Sequence, residues 1–250
     1  MENLIRMKGG FKNFGEIKAL EDINFELHKN EVVGLLGDNG AGKSTLIKSL
    51  TGVYPIDKGE LYIKGIKIDI HRYSVKEARK YGIETVYQER SLGDNQPLWR
   101  NIFIGRHNTN CFGYIKVKKE KEEALNILTN LIGLKGVGIS PDSFVETLSG
   151  GERQGVAIGR AMYFESDIIV LDEPTTALSL KEVNKVLNFV EMIKKNGKSC
   201  IYITHNIYQI YSVSDRFVIL DRGKIVGNYM RQDLSVEDLS NKLMMHAKSE

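Results

Sequence analysis

The run Glu31–Leu36 is short, apolar and β-branched, and it passes without a spacer into Gly37-Asp38-Asn39-Gly40-Ala41-Gly42-Lys43-Ser44-Thr45. The glycines let the backbone wrap tightly and turn successive N–H groups toward anionic oxygens. Lys43 adds a point charge suited to β- and γ-phosphates, and the Ser44 hydroxyl can ligate Mg²⁺. Leu46, Ile47 and Leu50 then recur at helical spacing until Gly52, with Pro55 beyond. Strand, glycine loop and helix in that order predict a phosphate cradle, the P-loop pattern, at a helix N-terminus whose dipole and free N–H groups favour anions. Such a loop constrains the chain to an α/β fold, because it needs a buried strand on one side and a helix on the other.

A second apolar strand pattern, Ile168–Leu171, runs into the paired carboxylates Asp172 and Glu173 and then Pro174. Mg-nucleotide chemistry needs such a pair. Asp172 can hold the metal through water, while Glu173, one residue on, points elsewhere and can polarise an attacking water. Leu148-Ser149-Gly150-Gly151-Glu152 stands about a hundred residues beyond the loop and opens another helical pattern.

Together these residues resemble the nucleotide-binding subunit of an ABC transporter, over nearly the whole chain. Leu148–Glu152 is similar to that family's signature motif, with Glu152 in place of the usual Gln. The resemblance implies ATP and Mg²⁺ as ligands, ATP hydrolysis as the activity, and contact of Ser149, Gly150 and Gly151 with a nucleotide held by another cassette. It gives Gln88 the place of the Q-loop glutamine, which contacts Mg²⁺ and reports to the membrane subunits. It gives His205 the place of the switch histidine at the γ-phosphate. Phe14 matches the aromatic that stacks on adenine, with Phe11 close enough to compete. The D-loop departs, because Ser179 follows Ala177-Leu178 where an Asp is usual. Phe14–Leu20, Gly52–Glu60, Val86–Glu89, Asn101–Arg106 and Thr204–Asn206 resemble the ribose, xylose and fructose type of importer. On that likeness the expected role is to energise uptake of a monosaccharide. The partners would be a second copy or homologous ATPase, a separate transmembrane permease, and indirectly a sugar-binding protein.

The expected fold class is α/β: a P-loop NTPase core with a mainly parallel sheet, an antiparallel β subdomain and an inserted α-helical subdomain. The expected domain is a single ABC-type unit over 1–250, with core 1–88 and 166–250 and a helical part from about 89 to 165. Alternation at 23–27, 60–63 and 66–70 predicts antiparallel strands, and 76–81 a short helix before strand 83–87. Lys118–Leu131 predicts a helix with Ala124, Leu125, Leu128 and Leu131 on one face, stopping at Gly133. Helices are expected over 152–164 and 180–196, strands over 168–172 and 200–204, and a hairpin over 216–227. The last dozen residues are polar and expected to be loose. Arg90–Arg106 holds Pro97, Ile102, Phe103, Ile104 and Trp99, the one tryptophan of the chain. The resemblance points this region at a coupling helix of the permease, aromatics being suited to anchor such contacts. The same rings could instead fill the helical subdomain's core.

Composition narrows the classes. In 250 residues the apolar fraction is 42% and the charged fraction 27%, ordinary for a water-soluble chain. No run approaches the about 18 apolar residues of a span, and the start is no signal peptide, so membrane attachment is expected through partners; the resemblance implies a peripheral place on the cytoplasmic face of the membrane. A formal charge of +3 gives no footprint for nucleic acid. Cys111 and Cys200 form no framework, and His28, His71, His107 and His246 are expected to be solvated rather than ligands. A chromosome-structure ATPase would separate loop and signature by long coiled coils, and only one short amphipathic helix lies between them. A non-hydrolysing regulator stays open through Ser179, against the presence of Glu173 and His205.

Overall fold

The computed structural model describes residues 2–86, 92–133, 138–164, 166–176 and 178–247. Gln88, Ala177 and the side chain of Leu131 lie outside the described residues, as do Tyr87 and Glu89–Ser91. In chain order the elements are β1 (Asn3–Phe14), β2 (Ile17–His28), β3 (Val32–Leu36), α1 (Lys43–Leu50), β4 (Lys58–Ile63), β5 (Ile66–Lys67), α2 (Val75–Lys80) and β6 (Ile83–Val86). Then come α3 (Leu98–Phe103), α4 (Val117–Asn126), α5 (Gly150–Tyr163), β7 (Ile168–Asp172), α6 (Leu180–Lys195), β8 (Ser199–Ile203), α7 (Ile207–Val213), β9 (Arg216–Asp221), β10 (Lys224–Met230) and α8 (Val236–Ala247). Two compact units divide the chain: 1–85 with 166–174 and 190–250, and 86–165 with 175–189.

The first unit has two sheets. One is antiparallel, with order β2-β1-β4-β5. The other has order β10-β9-β3-β8-β7-β6, and its pairs β9-β3, β3-β8 and β8-β7 are parallel. Every residue of β3 and β8 is buried, as expected of parallel strands covered on both faces. Leu35, Ile203 and Asp172 share one row across β3, β8 and β7, so the loops after these strands leave the sheet at one level. Register at the other end is fixed by a buried pair. Arg216 at the start of β9 donates from Nε to Glu31 Oε1 (2.6 Å) and from Nη2 to Glu31 Oε2 (3.0 Å). Its remaining donors reach Asn228 Oδ1 and the Glu26 carbonyl, so the guanidinium has its buried charge and N–H groups compensated.

The second unit is mainly helical. Pro97 sits in an extended conformation before α3, and Leu98, Trp99, Asn101, Ile102 and Phe103 are all buried. Trp99 is 6% exposed, so of the two readings open to it, partner anchor or core, its ring takes the core one. The cause is spacing: Trp99, Ile102 and Phe103 stand at i, i+3 and i+4 and share a face. Phe103 meets Tyr163 and Phe164 edge-on, with centroids 5.3 and 6.1 Å apart. Of the large residues of α3 and its C-cap, Ile104 faces solvent, at 57% exposed.

Three other expectations change. The helix expected to 131 is α-helical only to Asn126, and Ile127–Leu131 continues as a π-helix. Ala124, Ile127 and Leu128, at i, i+3 and i+4, form the buried face, and Leu125, a quarter-turn away, is 47% exposed. His107 is not solvated like an ordinary surface histidine: its Nδ1 lies 3.0 Å from Oε2 of Glu120, a buried carboxylate that also accepts the Asn108 N–H. Of the last dozen residues, expected to be loose, 239–247 are helical. Ser235 and Asp238 exchange hydrogen bonds in a capping box, and α8 buries Leu239 completely.

Replacing Phe103 by Ala should lower stability by about 3–5 kcal/mol, the usual loss for a buried aromatic. Urea unfolding followed by tryptophan fluorescence reads this through Trp99; an unchanged midpoint would show that the ring is not core.

Candidate functional site

Between β3 and α1 the chain has no freedom to be anything but glycine at Gly37. Its φ is 145°, and a Cβ there would stand 2.2 Å from the Leu220 carbonyl oxygen. The loop thereby lies directly against the end of β9. Asp38, Asn39 and Gly40 are exposed, Ala41 is buried, and nothing approaches within 4 Å of where a Gly40 Cβ would be. Gly42 caps α1 in a left-handed conformation, with Ser44 exposed and Thr45 half-buried on the first turn. Lys43 folds back over the loop and donates to the carbonyls of Gly37 (2.6 Å) and Asp38 (2.9 Å). Burial draws its pKa down, and the carboxylates of Glu173, Asp38 and Asp172 oppose that shift.

Asp172 ends β7 and Glu173 follows it. Burial pushes the Asp172 carboxyl upward, against the pull of Lys48 and Lys43. Glu173 is buried and has φ of 52°, a left-handed conformation that a non-glycine residue holds only under constraint. Its N–H donates to the Ile203 carbonyl (3.1 Å), and its Oε1 lies 2.9 Å from Nε2 of His205, the second residue after β8. Loop, acid pair and histidine thus gather at the C-terminal ends of three neighbouring parallel strands, where ligands of open α/β sheets bind. Lys48 was not singled out from the sequence. It stands four residues after Ser44, which puts both on one side of α1, and that spacing was the available signal.

Phe14 closes β1 and is 42% exposed, whereas Phe11 is half-buried. The Phe14 ring meets Tyr54 edge-on at 5.2 Å, and Lys12 Nζ lies 5.5 Å from its centroid. Tyr54, also unsuspected from sequence, carries Lys48 Nζ 5.4 Å from its own ring.

In the second unit, Ser149 caps α5. Its Oγ accepts the Glu152 N–H (3.3 Å), and Glu152 Oε2 accepts the Ser149 N–H (2.9 Å). Glu152, the residue that departs from the usual Gln, therefore completes a capping box. Ser149 and Gly150 are exposed and Gly151 is buried. Among the described residues no cluster of three or more His, Cys, Asp or Glu could hold a metal. Ser44 and Asp172 carry the hydroxyl and carboxylate oxygens of the kind that magnesium takes as ligands.

A strand-loop-helix phosphate cradle beside a carboxylate pair and a histidine is the site of a P-loop nucleoside triphosphatase. A family model described as ABC transporter matches residues 20–176. The chain is 42% identical to a xylose/arabinose import ATP-binding protein of Sulfolobus acidocaldarius, over 99% of this chain and 96% of that one. It is 38% identical to a ribose import ATP-binding protein of Caldanaerobacter subterraneus, over 96% of this chain but 47% of the relative, and so spans about half of that protein. Among solved structures it is similar to a nucleotide-free ATP-binding cassette from an ABC transporter (TM-score 0.83, 26% identity, 99% of this chain and 100% of that one). It is also similar to a dimeric post-hydrolysis state of an ATP-binding cassette bound to ADP and Pi (TM-score 0.76, 26% identity, 91% and 98%). The chain belongs to the ABC transporter family, and its cassette is an ATP-binding ATPase.

Gly37→Ala should weaken ATP binding about 5- to 150-fold, since overpacking against a backbone carbonyl costs on the order of 1–3 kcal/mol. Titration with a fluorescent ATP analogue measures it; wild-type affinity would show that the loop can yield.

Proposed function

We propose that this protein is the ATP-hydrolysing subunit of an ABC importer for a monosaccharide, working as a pair of cassettes on the cytoplasmic side of a separate membrane permease. The observation that carries the proposal is the likeness to the Sulfolobus pentose import protein over both chains' lengths, with the loop, acid pair and histidine intact. Among the described residues no helix is long and apolar enough to cross a membrane, which accords with a separate permease.

ATP would lie in Gly37–Thr45 with adenine on Phe14. Mg²⁺ would be held by Ser44 and, through water, Asp172, with Gln88 as a further ligand; it would screen phosphate charge. Lys43 exchanges the loop carbonyls for β/γ oxygens, a charge-assisted contact that replaces two neutral ones. Glu173 would orient the attacking water and accept its proton, while His205, whose Nε2 lies 2.9 Å from Glu173 Oε1, would turn to the γ-phosphate. Ser149 and Gly151 of the paired cassette would supply donors to that phosphate, a task suited to a helix N-terminus. Hydrolysis removes the charge that holds the pair together, so the nucleotide biases a two-state dimer.

With Trp99 and Phe103 in the core, the permease contact in Arg90–Arg106 falls to residues on its exposed side, among them Ile104 and Arg100. Ile104→Asp should weaken association with the permease and leave ATP turnover of the separate subunit unchanged; equal association would remove the contact. Glu173→Gln should keep ATP binding and lower turnover by about 10²–10⁴, the usual range for a general base. It should also leave an ATP-stabilised dimer in sedimentation. Undiminished turnover would reassign the base.

A further inference from the structure

We propose that Glu182 is a built-in competitor for the γ-phosphate at the signature helix. In the unpaired subunit its carboxylate holds the Gly151 N–H, and a nucleotide brought by a second cassette must displace it. The inference rests on the paired-cassette reading above.

The first-turn N–H groups of a helix have no partner within it. In α5 the Glu152 N–H goes to the Ser149 hydroxyl, and the Gly151 N–H goes out of the helix, to Glu182 Oε1 at 2.9 Å. The other oxygen, Oε2, accepts the Ser179 N–H (3.0 Å) and the Ser179 hydroxyl (2.9 Å). One carboxylate therefore ties the start of α6 to the signature. Its methylenes also lie over Gly151: a Cβ there would stand 2.7 Å from Glu182 Cγ and 2.8 Å from Glu182 Cβ. Leu178 covers Gly150 in the same way, a Cβ there standing 2.6 Å from Leu178 Cδ2. Packing inside one subunit thus crowds Gly151 against the inner carbons of Glu182 and Gly150 against the end of Leu178, and an anion reaching for the Gly151 N–H meets Glu182 first.

The Gly151 N–H, the Ser179 N–H and hydroxyl and, to a smaller degree, the Ser149 hydroxyl hold the Glu182 carboxyl at about 2, so it is charged at any physiological pH. A phosphate oxygen and this carboxylate have the same sign and claim the same donor, and a single N–H gives one strong hydrogen bond. Occupancy is therefore exclusive. The arrangement also accounts for Ser179. An aspartate there would set a second carboxylate against Glu182, whereas the serine hydroxyl donates to it.

Glutamine at this position keeps the shape but has one accepting oxygen. It can keep the Ser179 donors or the Gly151 N–H, not both. In full-length protein carrying Glu173→Gln, adding Glu182→Gln should lower the ATP concentration at half-dimerisation by about tenfold, equivalent to about 1.4 kcal/mol, as read by sedimentation with MgATP. An unchanged or higher concentration would overturn the proposal. Ser179→Ala loosens the same helix start but leaves the carboxylate on Gly151, so it should not tighten the dimer; tightening would reduce Glu182 to a cap of α6 and overturn it too. If the Glu173→Gln parent never pairs, the clamp reading fails, and hydrogen exchange of the nucleotide-free subunit decides this contact by itself. The Gly151 amide should exchange at least about tenfold faster in Glu182→Gln, because no intrahelical partner protects it; equal rates would overturn the proposal.

Discussion

The phosphate loop is held in place by backbone pressed against backbone. Gly37 lies under the Leu220 carbonyl at the end of β9, and Gly42 lies against the Ala19 carbonyl in β2, where a Cβ would be 2.8 Å away. The turn after β9 closes the arrangement: the Gly223 N–H donates to the Ala41 carbonyl (2.9 Å), and the Glu21 N–H donates to the Gly223 carbonyl (2.8 Å). These contacts leave no room for side chains, so the loop cannot relax toward an ordinary turn. Its amides stay aimed outward at the cost of left-handed backbone that glycine supplies without strain. Parallel sheet, loop and antiparallel sheet are tied at this one place, and the positions of Lys43, Ser44 and the whole of α1 follow from it.

A second regularity runs through both units. Several groups proposed to meet a triphosphate already have a local partner. Lys43 has the Gly37 and Asp38 carbonyls, His205 and Glu173 have each other, and Gly151 has Glu182. Buried polar and charged groups are costly when unmade, so a cassette without nucleotide needs such surrogates. Binding then exchanges one set of hydrogen bonds for another. The net gain is modest for each, and the charge of the phosphates decides the direction. A site built this way is stable when empty and still responds to the nucleotide, because no bond has to be broken without replacement.

Much of this was legible beforehand, for a local reason. The phosphate loop, the acid pair and the signature are contiguous, and their neighbours in sequence already show the strand or helix that carries them. The buried strands β3, β7 and β8 are continuous apolar runs, a pattern produced by burial on both faces. What stayed open or went astray turned on contacts that the sequence does not display. A large apolar residue such as Trp99 in a short segment carries no sign of which way it faces. Leu125 was grouped with Ala124 and Leu128, although it lies a quarter-turn from the buried face. Polar composition hid the helix over 239–247, although Ser235-x-x-Asp238 carried the capping signal.

The amino-acid order by itself determined the kind of chemistry: a glycine loop ending in Lys43-Ser44 can hold little other than phosphate, and Asp172-Glu173 after an apolar strand suits a metal and a water. These follow from covalent spacing, which folding does not alter. Only the tertiary structure decided which groups meet. It set Glu173 against His205 across two strand ends, Lys48 against Asp172, and Glu182 on the Gly151 amide, because parallel register and the packing of α6 on the signature glycines bring together residues that the chain keeps far apart.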